Sequence, residues 1–264
     1  MDCALLDGTA IHFAESGSAD RPGLVFVNSL GTDLRIWDRV VARLGAAFRI
    51  LRYDFRGHGL SDIGHPPYRI EDHVADLIAL MERRGFHNAT IFGLSVGGQI
   101  ALGLAVQRPD LVRALILSDT AHRIGTPESW NTRIAAIERG GLESIADALM
   151  ERWFSPGYRR SQPAALALWR NMLARTPAAG YVGTCVALRE SDLTAAARSL
   201  KRRTLCLCGA EDLSTPPELV QSLAALIPGA VFRSIEGSGH LPCIEDPARI
   251  AQEIEAFAKE SAFA

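Results

Sequence analysis

The chain has 264 residues, of which 48% are hydrophobic and 22% charged, and its formal net charge is −2. This composition is typical of a globular protein, and the balanced charge excludes a general affinity for nucleic acid or for an anionic membrane surface. The N-terminal residues do not form a signal peptide pattern, and no apolar run reaches the roughly 18 residues of a transmembrane helix. We therefore expect a cytoplasmic protein without a nucleic-acid or membrane partner.

The predicted elements of the first half alternate between strands and helices. Residues 1–16 predict a hairpin around Asp7-Gly8-Thr9. Helical patterns cover Ile70–Arg84 and Val96–Gln107. Short apolar runs that end in Gly, Asp, Asn or Ser predict strands at Leu24–Val27, Phe48–Tyr53, Ala89–Phe92 and Ala114–Leu117. This alternation predicts an α/β fold with a mainly parallel central sheet and helices on both faces.

The second half begins with a segment in which the pattern of predicted secondary structure changes. From about residue 122 to residue 192 strand patterns are missing, and amphipathic helices are interrupted by prolines. Strand patterns return at Thr204–Cys208 and Val231–Ile235. We therefore predict a core formed by residues 1–121 and 193–264, with a helical cap of residues 122–192 inserted into it.

The motif Gly93-Leu94-Ser95-Val96-Gly97 lies between a predicted strand and a predicted helix. A Gly-x-Ser-x-Gly motif in this context predicts a nucleophile elbow, in which a sharp turn exposes the serine at the start of the helix. The glycines two residues before and after Ser95 relieve crowding in that turn. The helix N-terminus favours negative charge beside Ser95. We predict Ser95 to be a nucleophile.

A serine nucleophile needs a base, and His240 is the best candidate among the seven histidines. In α/β-hydrolases that carry this elbow, the chain order is Ser, then Asp or Glu, then His, with the His after the last strand. His240 follows Val231–Ile235 in Gly-Ser-Gly-His-Leu-Pro. The remaining histidines fall in the first hairpin, a glycine loop, the start of the cap, other loops or exposed helix faces: His12, His58, His65, His73, His87 and His122.

The acid that orients this base is predicted to be Asp212, which follows the strand at Thr204–Cys208. Asp119 follows the preceding strand and is the alternative, because some α/β-hydrolases carry the acid at that point. Two backbone N–H groups should stabilise the oxyanion. We assign them to Val96, directly after the nucleophile, and to Leu30, in the loop after Leu24–Val27.

The sequence predicts no metal and no cofactor. It contains no His-Glu-x-x-His motif, no Cys-x-x-Cys pair and no dinucleotide-binding glycine motif after the first core strand. The five cysteines are odd in number and fit no disulfide framework. Cys206 and Cys208 would share one face of a strand, and buried reduced thiols explain them better than a metal site does. The glycine-rich segment 54–61 is expected to be a structural loop that supports the site.

The chain resembles the 3-oxoadipate enol-lactonase family of the β-ketoadipate pathway, within the α/β-hydrolases. The resemblance runs nearly end to end and is most specific in Asn28-Ser29-Leu30-Gly31-Thr32-Asp33, Arg123-Ile124-Gly125-Thr126, Trp130-Asn131-Thr132-Arg133-Ile134, Glu151-Arg152-Trp153-Phe154, Gly180-Tyr181-Val182-Gly183 and Gly239-His240-Leu241-Pro242-Cys243. It implies cleavage of 3-oxoadipate enol-lactone, a small-molecule lactone that bears a carboxylate, without a cofactor. Arg133 would bind the carboxylate, with Trp130 on the same helix face.

Other functions stay open at this point. A carboxylesterase or a hydrolase of β-diketone C–C bonds would use the same three residues, and a perhydrolase side activity would need no others. A dehalogenase or epoxide hydrolase with an aspartate nucleophile is disfavoured, because position 95 is serine. A ligand receptor on a hydrolase scaffold is the non-enzyme alternative, and a complete set of Ser, Asp and His argues against it.

Overall fold

The computed structural model describes residues 2–260. Its eight strands form one sheet in the order β1-β2-β4-β3-β5-β6-β7-β8. The strands are β1 Asp2–Leu6, β2 Thr9–Ser16, β3 Gly23–Val27, β4 Arg49–Tyr53, β5 Ala89–Leu94, β6 Val112–Ser118, β7 Arg203–Gly209 and β8 Val231–Ile235. Only β2 runs antiparallel to its neighbours, β1 and β4, and every other pairing is parallel. The predicted fold class is confirmed.

Twelve α-helices are described in residues 2–260, together with 3₁₀-helices at Leu34–Trp37 and Pro109–Leu111. The α-helices are α1 Asp38–Leu44, α2 Ile70–Arg84, α3 Val96–Gln107, α4 Pro127–Gly140, α5 Glu143–Trp153, α6 Pro156–Ser161, α7 Pro163–Ala174, α8 Ala178–Glu190, α9 Thr194–Ser199, α10 Pro217–Leu226, α11 Pro242–Glu245 and α12 Pro247–Glu260. No helix in this part of the chain is long and apolar enough to cross a membrane.

The centre of the sheet is covered on both faces. All six residues of β5 are buried, although successive side chains point to opposite faces of a strand. This explains why the central strands have continuous apolar sequences rather than alternating ones. The first hairpin turns at Asp7 and Gly8, both with positive φ (44° and 79°), as a tight two-residue connection requires.

The helices α4 to α8 form one insertion between β6 and β7. The insertion meets the core where α8 approaches the loop after β4, and there Gly180 lies against Gly57 so closely that a Cβ on either glycine would collide with the other residue. The loops after the parallel strands meet at one edge of the sheet, the usual position of a ligand site in such folds. We keep the name cap for residues 122–192, and their status as a separate domain stays a prediction.

Candidate active site

The turn between β5 and α3 holds Ser95 in a strained backbone conformation, with φ 57° and ψ −119°. Few non-glycine residues adopt a positive φ, and such strain is concentrated at functional sites. A Cβ on Gly93 would collide with the carbonyl oxygen of Gly97, and one on Gly97 would collide with that of Val27. Both glycines of the motif are therefore required by the close approach of α3 to β3 and β5.

This close approach also sets the backbone around Ser95. Val96 is the first residue of α3, so its N–H group has no acceptor within the helix. The N–H group of Leu30 donates to no acceptor in the described residues. Leu30 and Ser95 line the same cavity. The backbone N–H groups of Val96 and Leu30, from two separate segments, are therefore available to donate to a ligand next to Ser95.

Asp212 and His240 lie in contact after β7 and β8. The Nδ1 atom of His240 is 2.8 Å from Oδ2 of Asp212, and both residues are buried. The Thr215 hydroxyl donates to the same Asp212 oxygen at 2.7 Å, while the N–H groups of Ser214 and Thr215 donate to the other at 2.6 and 3.1 Å. His240 and Ser95 both line the cavity, but no hydrogen bond joins them in the described structure. Such bonds are often long in an empty site.

These contacts keep Asp212 ionised. Burial alone would raise its pKa, but the neighbouring His240 and the hydrogen bonds from Thr215 and Ser214 outweigh burial and lower the pKa. An ionised carboxylate at Nδ1 fixes the imidazole tautomer that leaves Nε2 able to accept a proton. His240 is thus oriented as a base would need to be.

Asp119, the alternative acid, is also buried, but its contacts differ from those of Asp212. Its carboxylate accepts the Ser118 hydroxyl at 2.5 Å and the N–H group of Gly209 at 2.8 Å, and no histidine contacts it. Complete burial and the charge of Asp212 raise its pKa well above the usual value. The structure therefore brings His240 to Asp212 and not to Asp119.

One group of side chains has ligand atoms close enough for a metal ion. Atoms of Asp119, Cys208 and Asp212 all lie within 4.8 Å of one another. Burial raises the pKa of the Cys208 thiol, which disfavours the thiolate that a metal requires. Protein hydrogen bonds already bind both carboxylates. We assign no metal to this group.

The loop that carries His240 is attached to the cap, which the sequence did not indicate. The N–H group of His240 donates to the carbonyl of Trp153 at 2.8 Å. Glu245 accepts the N–H group of Gly239 at 2.8 Å and the hydroxyl of Ser155 at 2.5 Å. The end of α5 and the histidine loop are thus bound together at the cavity, which Trp153 and His240 both line.

The cavity at Ser95 has a volume of about 120 Å³, with residues of the core loops on one side and residues of the cap on the other. The predicted Trp130 and Arg133 both line it, and the Arg133 guanidinium lies 4.9 Å from the centre of the Trp130 ring. No aspartate or glutamate is among the lining residues. A small ligand with negative charge suits these walls.

Several residues that line the cavity were not predicted as site residues, and two of them are large polar side chains of the cap. Arg152, at the end of α5, donates to the carbonyl of Leu213 at 2.8 Å. Tyr181, on α8, is fully buried, and its hydroxyl makes no hydrogen bond of good geometry among the described residues. The only signal for them was that both lie in segments that carry the family resemblance.

The other histidines of the core do not reach this cavity. The expectation that His73 lies in a loop or on an exposed helix face is wrong, since it is fully buried on α2 beside Tyr68. His58 is also fully buried, and its ring contacts that of Phe55 at a tilt of 47°. The Nδ1 atom of His12 lies 2.7 Å from Oδ2 of Asp54.

A larger cavity, of about 730 Å³, lies between α7 and the loop that follows β3. Asp54, Gly59 and Leu60 from the glycine-rich loop line it, together with His12. The same loop is held by Asp54, which accepts the N–H groups of Leu34 and Leu60 at 2.7 and 3.0 Å. Neither Ser95 nor His240 faces this cavity, so its size does not make it the site of the chemistry.

Comparisons with known proteins agree with this architecture. The sequence model described as "Alpha/beta hydrolase family" matches residues 24–253. The 3-oxoadipate enol-lactonase 2 of Acinetobacter baylyi is 33% identical over 98% of this chain and 96% of its own. The crystal structure of the enol-lactonase from Burkholderia xenovorans LB400 superposes with a TM-score of 0.94 at 35% identity, covering 98% of this chain and 100% of that one. A thermophilic esterase from Thermogutta terrifontis has a TM-score of 0.90 at 28% identity, covering 96% and 94%.

The chain belongs to the alpha/beta hydrolase family and is an enzyme of the hydrolase class. Within that family, its resemblance to the 3-oxoadipate enol-lactonases is confirmed over nearly its whole length. The predicted hydrolase chemistry is therefore established at the level of the family.

Proposed function

We propose that this protein opens 3-oxoadipate enol-lactone to 3-oxoadipate, with Ser95 as nucleophile, His240 as base and Asp212 as the acid that orients it. One observation carries the proposal. A strained serine, a histidine bonded to a buried carboxylate, and an arginine that has no carboxylate partner among residues 2–260 converge on one small cavity. The similarity to two enol-lactonases supports the choice of lactone.

In the first half of the reaction, His240 removes the Ser95 proton while Ser95 attacks the lactone carbonyl. The imidazolium that forms is stabilised by the ionised Asp212. The N–H groups of Val96 and Leu30 donate to the oxyanion, and losing one such donor typically reduces the rate about 10²–10³-fold. Ring opening then expels an enolate, which His240 protonates, and the enol tautomerises to the ketone.

In the second half, His240 takes a proton from water while the water attacks the acyl carbon. The bond between Ser95 and that carbon breaks, and the serine recovers its proton. The product now bears a second carboxylate. No step needs a metal or a cofactor.

The walls of the cavity support a small anionic substrate. Its volume of about 120 Å³ is below the roughly 300–1,000 Å³ of pockets that bind drug-sized ligands. Arg133 makes no ion pair with a carboxylate of the described residues. Its guanidinium group is therefore available to form two parallel hydrogen bonds with a substrate carboxylate. Trp130 holds that guanidinium in place through its ring.

The first test is Ser95→Ala, assayed on enol-lactone formed in situ from muconolactone by an isomerase. We expect a loss of several orders of magnitude, because removing the nucleophile of such a set leaves only oxyanion stabilisation and binding. Ser222→Ala, a serine outside the cavity, is the matched control and should retain full activity. Activity of Ser95→Ala within about tenfold of wild type would refute the nucleophile assignment.

The similarity to an esterase of known structure favours one second candidate, a carboxylesterase that uses the same residues. A panel of substrates separates the two with the wild-type protein alone. The lactonase proposal requires a kcat/KM for the enol-lactone well above that for uncharged esters of similar size. Higher values for the uncharged esters would favour the esterase.

A further inference from the structure

The cavity is lined by a second arginine, Arg152, whose side chain is exposed overall. Arg133 from α4 and Arg152 from α5 both line it, and neither pairs with a carboxylate of residues 2–260. Arg170 of the cap pairs with Glu143 at 2.8 Å and with Asp147 at 2.6 Å, whereas Arg160 has no carboxylate partner in the described residues. Arg133 and Arg152 differ from Arg160 because they line the cavity. The two cationic side chains of the cavity thus have no protein anion to bind.

Arg152 is held on the side of the cavity that carries His240. Its Nη2 atom donates to the carbonyl of Leu213, the residue directly after Asp212. Burial and the charge of Arg133 lower the pKa of Arg152, and the charge of Asp212 opposes them. Two like charges that face one small cavity repel each other until an anion lies between them.

A third donor completes the set. The Tyr181 hydroxyl is buried, lines the cavity beside Arg133 and makes no hydrogen bond of good geometry in the described residues. A buried hydroxyl without a partner costs free energy, which a ligand oxygen would recover. Arg133, Arg152 and Tyr181 come from three different helices of the cap, so their convergence is a property of the folded cap.

We propose that Arg152 forms a second anion subsite, which binds the carboxylate created by hydrolysis while Arg133 binds the carboxylate already present on the substrate. The inference rests on the proposed function in one respect, namely that attack by water at the acyl carbon leaves a new carboxylate beside Ser95 and His240. With both arginines available, the cavity should bind a dicarboxylate more tightly than a monocarboxylate of the same length.

The test is calorimetric binding of two unreactive probes, adipate and its monoamide, which differ by a single negative charge. The wild-type protein should bind adipate at least about tenfold more tightly, since a hydrogen bond between two charged groups is stronger than one to a neutral amide. Arg152→Gln should remove that preference and leave the affinity for the monoamide within about twofold. Arg133→Gln should weaken both probes. Arg160→Gln, an exposed arginine of α6 outside the cavity, is the control and should change neither.

Equal affinity of the wild-type protein for the two probes, or equal losses for both in Arg152→Gln, would refute the subsite. Absence of binding by either probe would do the same. If Arg152→Gln does not fold, Arg152→Lys keeps a charge without the planar fork and should weaken adipate more than the monoamide. A preserved adipate preference in a protein that does not open the lactone would overturn the proposed function and leave the subsite standing.

Discussion

At the scale of single residues, two buried aspartates follow adjacent strands of the sheet. Their different surroundings shift their pKa values in opposite directions. Asp212 contacts His240 at 2.8 Å and has a lowered pKa. Asp119 accepts hydrogen bonds from Ser118 and Gly209 and contacts no histidine, and its pKa is raised. Two carboxylates this close do not both ionise readily, so the histidine contact decides which one carries the charge.

This difference predicts opposite outcomes for two isosteric substitutions. Asp212→Asn should reduce kcat about 10⁴-fold, because an amide at this position selects the wrong imidazole tautomer. Asp119→Asn should reduce it less than about tenfold, since a neutral amide resembles the protonated acid. Steady-state kinetics on the lactone, with thermal melting to verify folding, measures both. A comparable loss in the two variants would mean that Asp119 shares the orienting role.

At the scale of elements, the cap and the core meet in a contact that tolerates no side chain. Gly180 at the start of α8 lies against the backbone of Gly57, whose φ is 75°. Tyr181 follows directly and lines the cavity. The position of α8 on the core therefore controls one wall of the site.

Gly180→Ala should accordingly affect both stability and activity. The added Cβ collides with backbone, which cannot move away cheaply, and overpacking of this kind costs about 1–3 kcal/mol. We expect Tm to fall by about 2–4 °C per kcal/mol, and KM for the lactone to rise as the cavity wall shifts. Gly157→Ala on α6 is the matched control, because its nearest neighbour would be 3.7 Å away. An unchanged Tm in Gly180→Ala would contradict the close contact.

At the scale of the whole molecule, two neutral histidines are buried beneath the cap. Burial lowers the pKa of His58 to about 4 and lowers that of His73 well below its usual value. In the unfolded chain both should titrate near pH 6.5. Between those values the unfolded state binds more protons than the folded state, so the free energy of unfolding should fall as pH decreases from about 7 to about 4.

The variant His58→Gln tests this dependence. For His58 the full effect is on the order of 3 kcal/mol, at about 1.4 kcal/mol for each pKa unit. Denaturant unfolding at pH 7 and pH 5 should therefore show a smaller loss of stability in His58→Gln than in wild type. His65→Gln, an exposed histidine, should lose as much as wild type. Asp119, whose raised pKa acts in the opposite direction, is common to all three proteins and cancels. Equal losses in all three would refute the role of His58.

The sequence by itself determined the local features of this protein. The strands, the bounds of α2 and α3, the tight first turn and the turn at Ser95 follow from apolar periodicity and glycine positions, which act over a few residues. The order of Ser95, Asp212 and His240 also pointed to the residues that the structure brings to one edge of the sheet. These local patterns were sufficient to predict the fold class.

The tertiary structure alone decided what surrounds these features. His73 has the sequence of an ordinary helical position, and it is buried by tertiary contacts with Phe55, Tyr68 and Thr184 of α8. Arg152 is distant in sequence from Arg133 and Tyr181, and nothing local distinguishes it from the exposed arginines that line no cavity. Long-range packing is set by how whole faces of helices and strands fit together. For that reason the positive charge of the cavity could be recognised only from the position of the cap helices on the core.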